Sequence, residues 1–327
     1  MIQKTFQRYG YKPGKLREFI EFFNFDSNEC INVSADQKHT METPRRSSLY
    51  RKLRIAQVRT LARVLILLGE SDFFRRLFPW FRTKPILRSL FGWGLAYRRG
   101  YCSFAEAQES ANKFISAGHE HDDDVKMHTH LADRIRESDY PVLYYWSQIG
   151  NLSRTVFDFG GNVGNVFYAY DKPLAFSKDL RWIVYDISEI RAAGQLLATE
   201  RNESRISFVD SMEKAAECDI FLASGCLHYF TDRLDELLAS LSTLPPHVFA
   251  NRTPLTDGPD LITLQDNKTF LVPCKLHNRT KLLRGMGRLG YKLKASWTVH
   301  ELALQVPLYP ESSCRHYSGF YFKLEES

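Results

Sequence analysis

The sequence lacks any apolar run long enough to cross a membrane. Val64–Leu68 is among its longest runs, far below the roughly 20 residues that a spanning helix needs. The N-terminal segment from Met1 to Tyr9 also lacks the apolar stretch of a secretory signal. We therefore expect a cytoplasmic protein that at most lies peripherally on the inner face of a membrane.

Closely spaced cysteines are absent from the sequence as well. The chain has six cysteines but no C-x-x-C pair, which argues against a disulfide framework and favours a reducing compartment. Two of them, Cys218 and Cys226, flank an apolar run, where thiols usually serve as small hydrophobic side chains.

Acidic residues are scarce in one part of the chain. Between Arg45 and Arg99 there are 14 lysines and arginines, and the only acidic residues are Glu70 and Asp72. Basic amphipathic segments occur in helical accessory domains with solvated arginines, and also on anionic membrane surfaces. Basic charge alone is weak evidence for nucleic-acid binding. We favour an accessory domain and keep peripheral membrane contact through residues 45–99 as the alternative.

What is present is the composition of a globular protein, with 327 residues of which 44% are hydrophobic and 25% charged. We predict a basic, mainly helical region at 1–99, a helical cap or linker at 100–151, and an α/β domain at 152–327. In the linker, His119–Asp124 is rich in metal-ligating side chains. No apolar shell surrounds it, so it predicts a solvated loop and no metal site.

Strand-like runs alternate with helical patterns from residue 154 onward. This alternation predicts βαβ units and a parallel sheet. The last two runs have no helix between them and predict an antiparallel pair, so the fold class is α/β with a Rossmann-like sheet of seven strands. The strand-like runs are Arg154–Phe159, Arg181–Ile187, Arg205–Asp210, Asp219–Ala223, His247–Asn251, Tyr291–Val299 and Gly319–Leu324.

A glycine-rich turn follows the first strand. Asp158 precedes Gly160, Gly161 and Gly164, and a helical pattern begins directly afterwards. Glycine suits such a turn because a side chain would block either the turn or the approach of a ligand. A strand, a tight turn and a helix N-terminus together predict a nucleotide-like ligand at this end of the sheet.

Polar residues follow the next three strands. Asp186, followed by Ile187, ends the second strand, where a carboxylate can accept both hydroxyl protons of a ribose. Asp210 and Ser211 end the third strand and could meet an adenine edge, although Asp210 could instead cap the next helix. Ser224 ends the fourth strand and faces the same site.

Two cofactor classes use such a sheet, nicotinamide dinucleotides and S-adenosylmethionine. Dinucleotide sites usually carry G-x-G-x-x-G. Here the order is D-x-G-G-x-x-G, and Asp158 stands two residues before the first glycine. An anionic residue there suits an ammonium and a sulfonium and repels a pyrophosphate. The charge favours S-adenosylmethionine as the cofactor.

Five segments carry a resemblance to known proteins: Tyr101–Ala107, Phe157–Gly161, Arg181–Asp186, Phe208–Glu213 and Asn251–Pro259. Residues 152–327 resemble the class I S-adenosylmethionine-dependent methyltransferases. Residues 100–327 also look like an uncharacterised bacterial family of predicted methyltransferases associated with surface-polysaccharide gene sets. The resemblance implies cofactor contacts from Asp158, the three glycines, Asp186, Asp210 and Ser211. The middle glycine of the methyltransferase turn is replaced by Asn162, which tolerates left-handed conformations.

Three residues are catalytic candidates. His228, after the fourth strand, is the candidate general base because its ordinary pKa is near neutrality, and Tyr229 could form an aromatic wall. Arg252 could clamp an acidic substrate or pair structurally with Asp257. Residues 255–278 form a long insertion that we expect to cover the acceptor pocket.

We therefore predict a methyltransferase that acts on a small molecule, with a sugar or polysaccharide precursor suggested by the family resemblance alone. The alternatives are a catalytically inactive adenosylmethionine-binding scaffold, a nicotinamide oxidoreductase and a nucleic-acid methyltransferase. The last is disfavoured because an Asn/Asp-Pro-Pro-Tyr type motif is missing after Ser224. The sequence does not define the oligomeric state.

Overall fold

The structure is a computed structural model. It describes residues 100–112, 134–149, 154–266, 271–304 and 313–325, together with the single helical residues Val64, Phe73 and Arg76. The basic region at 1–99 therefore lies almost wholly outside the described residues, as does the histidine-rich segment at 119–124. The three predicted domain limits stay predictions.

The core of the described part is a seven-stranded sheet. Its strands are β1 Thr155–Phe159, β2 Arg181–Tyr185, β3 Ile206–Val209, β4 Ile220–Ser224, β5 His247–Thr253, β9 Tyr291–Val299 and β10 Tyr317–Leu324. They lie in the order β3-β2-β1-β4-β5-β10-β9. β1 to β5 are mutually parallel, and β10 pairs antiparallel with both β5 and β9. This arrangement confirms the predicted Rossmann-like sheet with an antiparallel last strand.

Six α-helices and two short 3-10 helices accompany the strands within the described ranges. Ser103 caps the first helix, because its Oγ accepts a hydrogen bond from the amide of Glu106 at 3.1 Å. The α-helices are α1 Phe104–Asn112, α2 Asp139–Ile149, α3 Asn165–Leu174, α4 Ser188–Glu200, α5 Leu234–Ala239 and α6 Arg279–Arg288. The 3-10 helices are Met212–Glu217 and Leu227–Tyr229.

Both faces of the sheet are covered, as a parallel sheet requires. Every residue of β1 is buried, and its side chains alternate between the two faces. Phe157 and Phe159 join the apolar cluster on one face. On the other face Val156 packs with Trp146 of α2 and Trp182 of β2, and these two indole rings stack with centroids 5.7 Å apart.

The insertion between β5 and α6 is itself a small sheet. Its strands are β6 Leu255–Thr256, β7 Leu261–Asp266 and β8 Leu271–Asn278, paired in the order β6-β8-β7. A bridge between Tyr101 and Ile262 joins this sheet to the start of α1. We expected a lid here but did not predict its strands.

Candidate functional site

The glycine turn lies at the carboxyl end of β1, as predicted. The amide of Gly160 donates to the carbonyl of Tyr185 at 2.8 Å, which fixes the turn to the end of β2. The amide of Gly164 donates to the carbonyl of Gly161 at 3.1 Å. Gly160 and Gly164 have φ values of 63° and 89°, which favour glycine. The turn thus leads from the sheet directly into α3.

The glycines are required by packing inside the protein. A Cβ added to Gly160 would lie 2.4 Å from Cβ of Cys226, and one added to Gly164 would lie 2.3 Å from Cδ1 of Ile206. A Cβ on Gly161 would lie 2.4 Å from the carboxyl carbon of Asp158. The turn is therefore pressed onto the ends of its neighbouring elements, and this fixes its shape before any ligand binds.

Asn162 takes the place of the missing glycine. Its φ of 58° is left-handed, a conformation that asparagine adopts more readily than most residues. Its amide donates to Oδ2 of Asp186 at 2.8 Å, and its side-chain oxygen accepts from the amide of Val163 at 2.8 Å. The departure from the usual motif therefore preserves the turn and ties it to the end of β2.

Asp158 is placed differently from our expectation. Its carboxyl group is fully buried beneath the turn, where Oδ2 accepts a hydrogen bond from Nε1 of Trp182 at 3.1 Å. Burial, reinforced by the nearby Asp186 carboxylate, raises the pKa of Asp158 to about 7. The group is thus only partly ionised near neutral pH, and it supports the turn from inside. The charge argument against a pyrophosphate is weaker than the sequence suggested.

Asp186 ends β2 beside the turn and is half-buried. Besides Asn162, its carboxylate accepts a hydrogen bond from the amide of Ile187 at 2.9 Å through Oδ1. The side chain of Ile187 is 41% exposed, which leaves an apolar surface next to the carboxylate. A half-buried carboxylate held by backbone amides beside an exposed aliphatic side chain suits a ribose and an adjoining base.

The end of β3 carries an ion pair in place of the cap that we considered. Asp210 is exposed and its Oδ2 lies 3.4 Å from Nη1 of Arg191. Ser211 caps the following 3-10 helix instead, because its Oγ accepts from the amide of Glu213 at 3.2 Å. The adenine-edge role of Asp210 and Ser211 stays a prediction.

Arg252 ends β5 and is turned into the protein, with only 4% of its surface exposed. Its Nη2 donates to Oγ of Ser224 at 2.7 Å, and its Nη1 lies 3.2 Å from Oδ1 of Asp139. The structural partner that we expected, Asp257, instead lies 3.5 Å from Nε of Arg279. That alternative was wrong because Asp139, over a hundred positions earlier in the sequence, supplies the carboxylate.

Asp139 is the centre of a buried polar network that the sequence did not reveal. Its Oδ1 accepts from the hydroxyl group of Tyr170 at 2.9 Å and from Nδ2 of Asn251 at 3.4 Å. The side-chain oxygen of Asn251 accepts from Nε1 of Trp297 at 3.0 Å. The network therefore joins α2, α3, β5 and β9. Only an acidic residue before a helical pattern hinted at Asp139 in the sequence.

The candidate base His228 lies in the 3-10 helix Leu227–Tyr229 and is 2% exposed. The β6-β8-β7 sheet lies over this helix, and the hydroxyl group of Tyr229 donates to Oε1 of Gln265 on β7 at 2.8 Å. His277, on β8, is a second buried histidine that we did not predict, and burial lowers its pKa to about 4. The insertion thus covers His228 and itself carries the second buried histidine.

The predictions about metal ligands, membrane-spanning segments and cysteines can be compared with the described residues alone. Within the described ranges no group of three or more histidine, cysteine or acidic side chains is placed to hold a metal ion. No described helix has the length and apolar character that a bilayer-spanning segment needs. The described cysteines are all free thiols, and Sγ of Cys226 donates to the carbonyl of Phe159 at 2.8 Å.

No protein-family model and no curated protein matches the chain. Among solved structures, an O-methyltransferase family protein from Burkholderia thailandensis is 14% identical with a TM-score of 0.41, over 67% of this chain and 63% of its own. The O-methyltransferase NcsB1 from neocarzinostatin biosynthesis, in complex with S-adenosyl-L-homocysteine and 1,4-dihydroxy-2-naphthoic acid, is 16% identical with a TM-score of 0.40, over 80% of this chain and 70% of its own. The glycopeptide N-methyltransferase MtfA, complexed with S-adenosyl-L-methionine, is 12% identical with a TM-score of 0.40, over 59% and 96% of the two chains.

These similarities are low, and the chain spans less than two thirds of the first of these proteins. They therefore carry no argument about activity or ligand. The strand order and the residues that end β1, β2, β4 and β5 are the better guide to function.

Proposed function

We propose that the chain is an S-adenosylmethionine-dependent methyltransferase that acts on a small molecule, with a sugar or polysaccharide precursor as the candidate acceptor. One observation carries the proposal. The sheet has seven strands in the order β3-β2-β1-β4-β5-β10-β9, with an antiparallel strand inserted next to β9. Dinucleotide-binding sheets usually have the order 3-2-1-4-5-6, without an antiparallel strand inserted before the last one. The observed strand order therefore supports adenosylmethionine over a nicotinamide dinucleotide, in place of the charge of Asp158.

The residues at the carboxyl ends of the strands fit the proposed cofactor. A carboxylate has about four acceptor positions, so Asp186 can accept ribose hydroxyl groups while it holds two backbone amides. Ile187 offers an apolar surface for the adenine. The turn from Gly160 to Gly164 and the N-terminus of α3 would border the amino-acid part. Asp158 would act through the turn, since its buried carboxyl group lies beneath Gly161.

S-adenosylmethionine supplies, when bound, a methyl group on a positively charged sulfur. The chain has to hold the acceptor nucleophile in line with that methyl group, and alignment of this kind can contribute about 7–11 kcal/mol to lowering a barrier. A hydroxyl acceptor must also lose a proton. His228 remains our candidate to take it, and because His228 is 2% exposed, the acceptor would have to enter beneath the β6-β8-β7 sheet.

Isothermal titration with S-adenosylmethionine, S-adenosylhomocysteine and NAD tests the cofactor. We expect both adenosyl ligands to bind below about millimolar, a threshold that corresponds to about 4 kcal/mol, and NAD to bind more weakly. Asp186→Ala should remove the binding, while Asp232→Ala, an exposed carboxylate outside this site, should not. Tighter binding of NAD, or unchanged affinity in Asp186→Ala, would refute the assignment.

The burial of His228 and Arg252 also favours a second candidate, a protein that binds adenosylmethionine without turnover. Methyl-labelled adenosylmethionine, incubated with the protein and a panel of monosaccharides, sugar acids and sugar phosphates, separates the two. A methyltransferase should label one of these acceptors, and His228→Ala should lower the rate while cofactor binding persists. Cofactor binding without label in any acceptor would favour the inactive scaffold.

Membrane contact is a separate part of the proposal. The 14 basic residues between Arg45 and Arg99 would attract an anionic surface. Flotation with anionic and neutral liposomes, using the full chain and a variant without residues 1–99, tests this contact. Equal partitioning of the two proteins on anionic liposomes would exclude a membrane role for that region.

A further inference from the structure

A second concave site lies at the same edge of the sheet as the glycine turn. It is a cavity of about 600 Å³, within the 300–1,000 Å³ range of small-molecule sites. It is bordered by the segment after β5, the C-terminal end of β9 and the start of β10, because Ser318 pairs with both Thr253 and Thr298. The parallel strands β1 to β5 end at this same edge. Because β5, β10 and β9 lie on one side of the sheet and β2 on the other, the cavity occupies the half of the edge away from β2.

Two aromatic side chains connect this cavity to the candidate site. Trp297 lines the cavity and donates to Asn251, the residue before Arg252. Tyr317 also lines the cavity, and its ring lies 5.8 Å from that of His228. The cavity therefore adjoins the proposed catalytic region through these two side chains.

The charge of the cavity is mainly positive. Arg279 and Arg315 line it, against one carboxylate, that of Asp257, among the described lining residues. Arg315 and His316 are exposed. The side chain of Asp257 is 92% exposed and its oxygen lies 3.5 Å from Nε of Arg279, so water weakens its hold on that arginine.

Arg279 is oriented and reinforced by its surroundings. Its Nη2 donates to Oγ of Ser318 at 2.8 Å, which holds the guanidinium at the cavity wall. Arg279 is also the first residue of α6, where the helix dipole adds positive potential. Five other lining residues carry serine or threonine hydroxyl groups, which can bond to hydroxyl groups of a ligand. These residues are Thr256, Ser296, Thr298, Ser313 and Ser318.

We propose that this cavity binds the methyl acceptor through an anionic group, a carboxylate or a phosphate, held by Arg279 and Arg315. This inference rests on the proposed function and specifies its substrate class, a hydroxyl-bearing molecule with a negative charge. It also replaces Arg252 as the acidic-substrate clamp, since Arg252 is engaged by Asp139 and Ser224 inside the protein.

Calorimetric titration of the full chain with glucuronate, glucose 6-phosphate, inorganic phosphate and glucose tests the proposal. We expect the two anionic sugars to bind at least tenfold more tightly than glucose, and more tightly than inorganic phosphate. Arg279→Gln and Arg315→Gln should each weaken anionic sugar binding about tenfold, the usual effect of losing one charge-assisted hydrogen bond. Arg284→Gln is the matched control, since it removes an exposed arginine of α6 that does not line the cavity.

Equal binding of glucose and the anionic sugars would overturn the proposal, as would absence of anionic sugar binding or equal losses in Arg315→Gln and Arg284→Gln. Because Arg315 is exposed, its variant should fold even if Arg279→Gln does not. Adenosylmethionine affinity should stay unchanged in both cavity variants. If neither adenosyl ligand binds but the anionic sugars still bind in an arginine-dependent way, the proposed methyl transfer is refuted and the anion site is retained.

Discussion

The buried ion pair between Asp139 and Arg252 should contribute strongly to the stability of the fold. The two side chains are 4% and 5% exposed, so neither charge is compensated by water when the other is removed. Asp139→Asn keeps the size of the side chain and an acceptor oxygen for Tyr170, but it removes the charge opposite Arg252. We expect the free energy of unfolding to fall by about 3–5 kcal/mol, the usual cost of breaking a buried pair.

The single variant Arg252→Met and the double variant that combines it with Asp139→Asn complete a double-mutant cycle. The double variant removes both charges, and replacement of a buried pair by groups of similar volume is often neutral. We therefore expect it to be more stable than Asp139→Asn alone, with a coupling energy of about 2–3 kcal/mol. Urea unfolding followed by tryptophan fluorescence measures each variant, and the slope with denaturant should stay constant.

The chain contains a matched surface control for this cycle. Lys292 and Glu325 lie 3.3 Å apart, but their side chains are 62% and 57% exposed. Lys292→Met should lower stability by no more than about 1 kcal/mol. Additive effects at Asp139 and Arg252, or a loss at Asp139 as small as the control, would show that the pair does not hold α2 to the sheet.

Two other predictions concern the turn. Gly164→Ala should lower the free energy of unfolding by about 1–3 kcal/mol, because φ is 89° and the new methyl would meet Ile206. Gly287→Ala is the control: nothing lies near its Cβ, so it should raise the free energy of unfolding by about 0.5–1 kcal/mol. Equal effects of the two substitutions would contradict the packing argument. Since the pKa of Asp158 is raised to about 7 in the folded state, folding takes up a proton and stability should fall as pH rises from about 4 to 7. Asp158→Asn should remove this decline and be the more stable protein at pH 8 by a few kcal/mol, as urea unfolding at pH 4 and 8 can measure; parallel pH profiles would contradict the raised pKa.

The sheet could be predicted because its strands and helices follow local rules. β9 has the predicted bounds, and the other predicted strands differ from the observed ones by only a few residues. The turn and Asp186 were also predicted, since strand ends in an alternating α/β pattern must meet at one edge. These features depend on neighbouring residues, which a single sequence displays.

The β6-β8-β7 sheet was missed for a local reason. Pro273 lies in β8, and proline disfavours a central strand because it lacks an amide donor. In the structure β6 pairs with His277 and Asn278 alone, so Pro273 has a strand partner on one side, Leu264. The proline therefore occupies what is effectively an edge position, which could be recognised only once the length of β6 was known.

The partners of buried charges were missed for a different reason. Asp139 and Arg252 are separated by more than a hundred residues, and Asp158 and Trp182 by 24. Nothing in the spacing of a single sequence specifies which distant side chain will neutralise a buried charge. Burial itself changed the interpretation of Asp158, because a carboxylate that was expected to face a ligand proved to lie beneath the turn.

Gly319 and Trp297 lie opposite each other on β10 and β9, and a Cβ on Gly319 would lie 2.0 Å from the indole ring. The two positions therefore cannot vary independently. A relative with a side chain at the position of Gly319 would need a smaller residue than tryptophan opposite it, and would then lack the indole donor to Asn251. We expect evolution to have changed these two positions together, so that the shape of the acceptor cavity and the polar network beneath it are inherited as one unit.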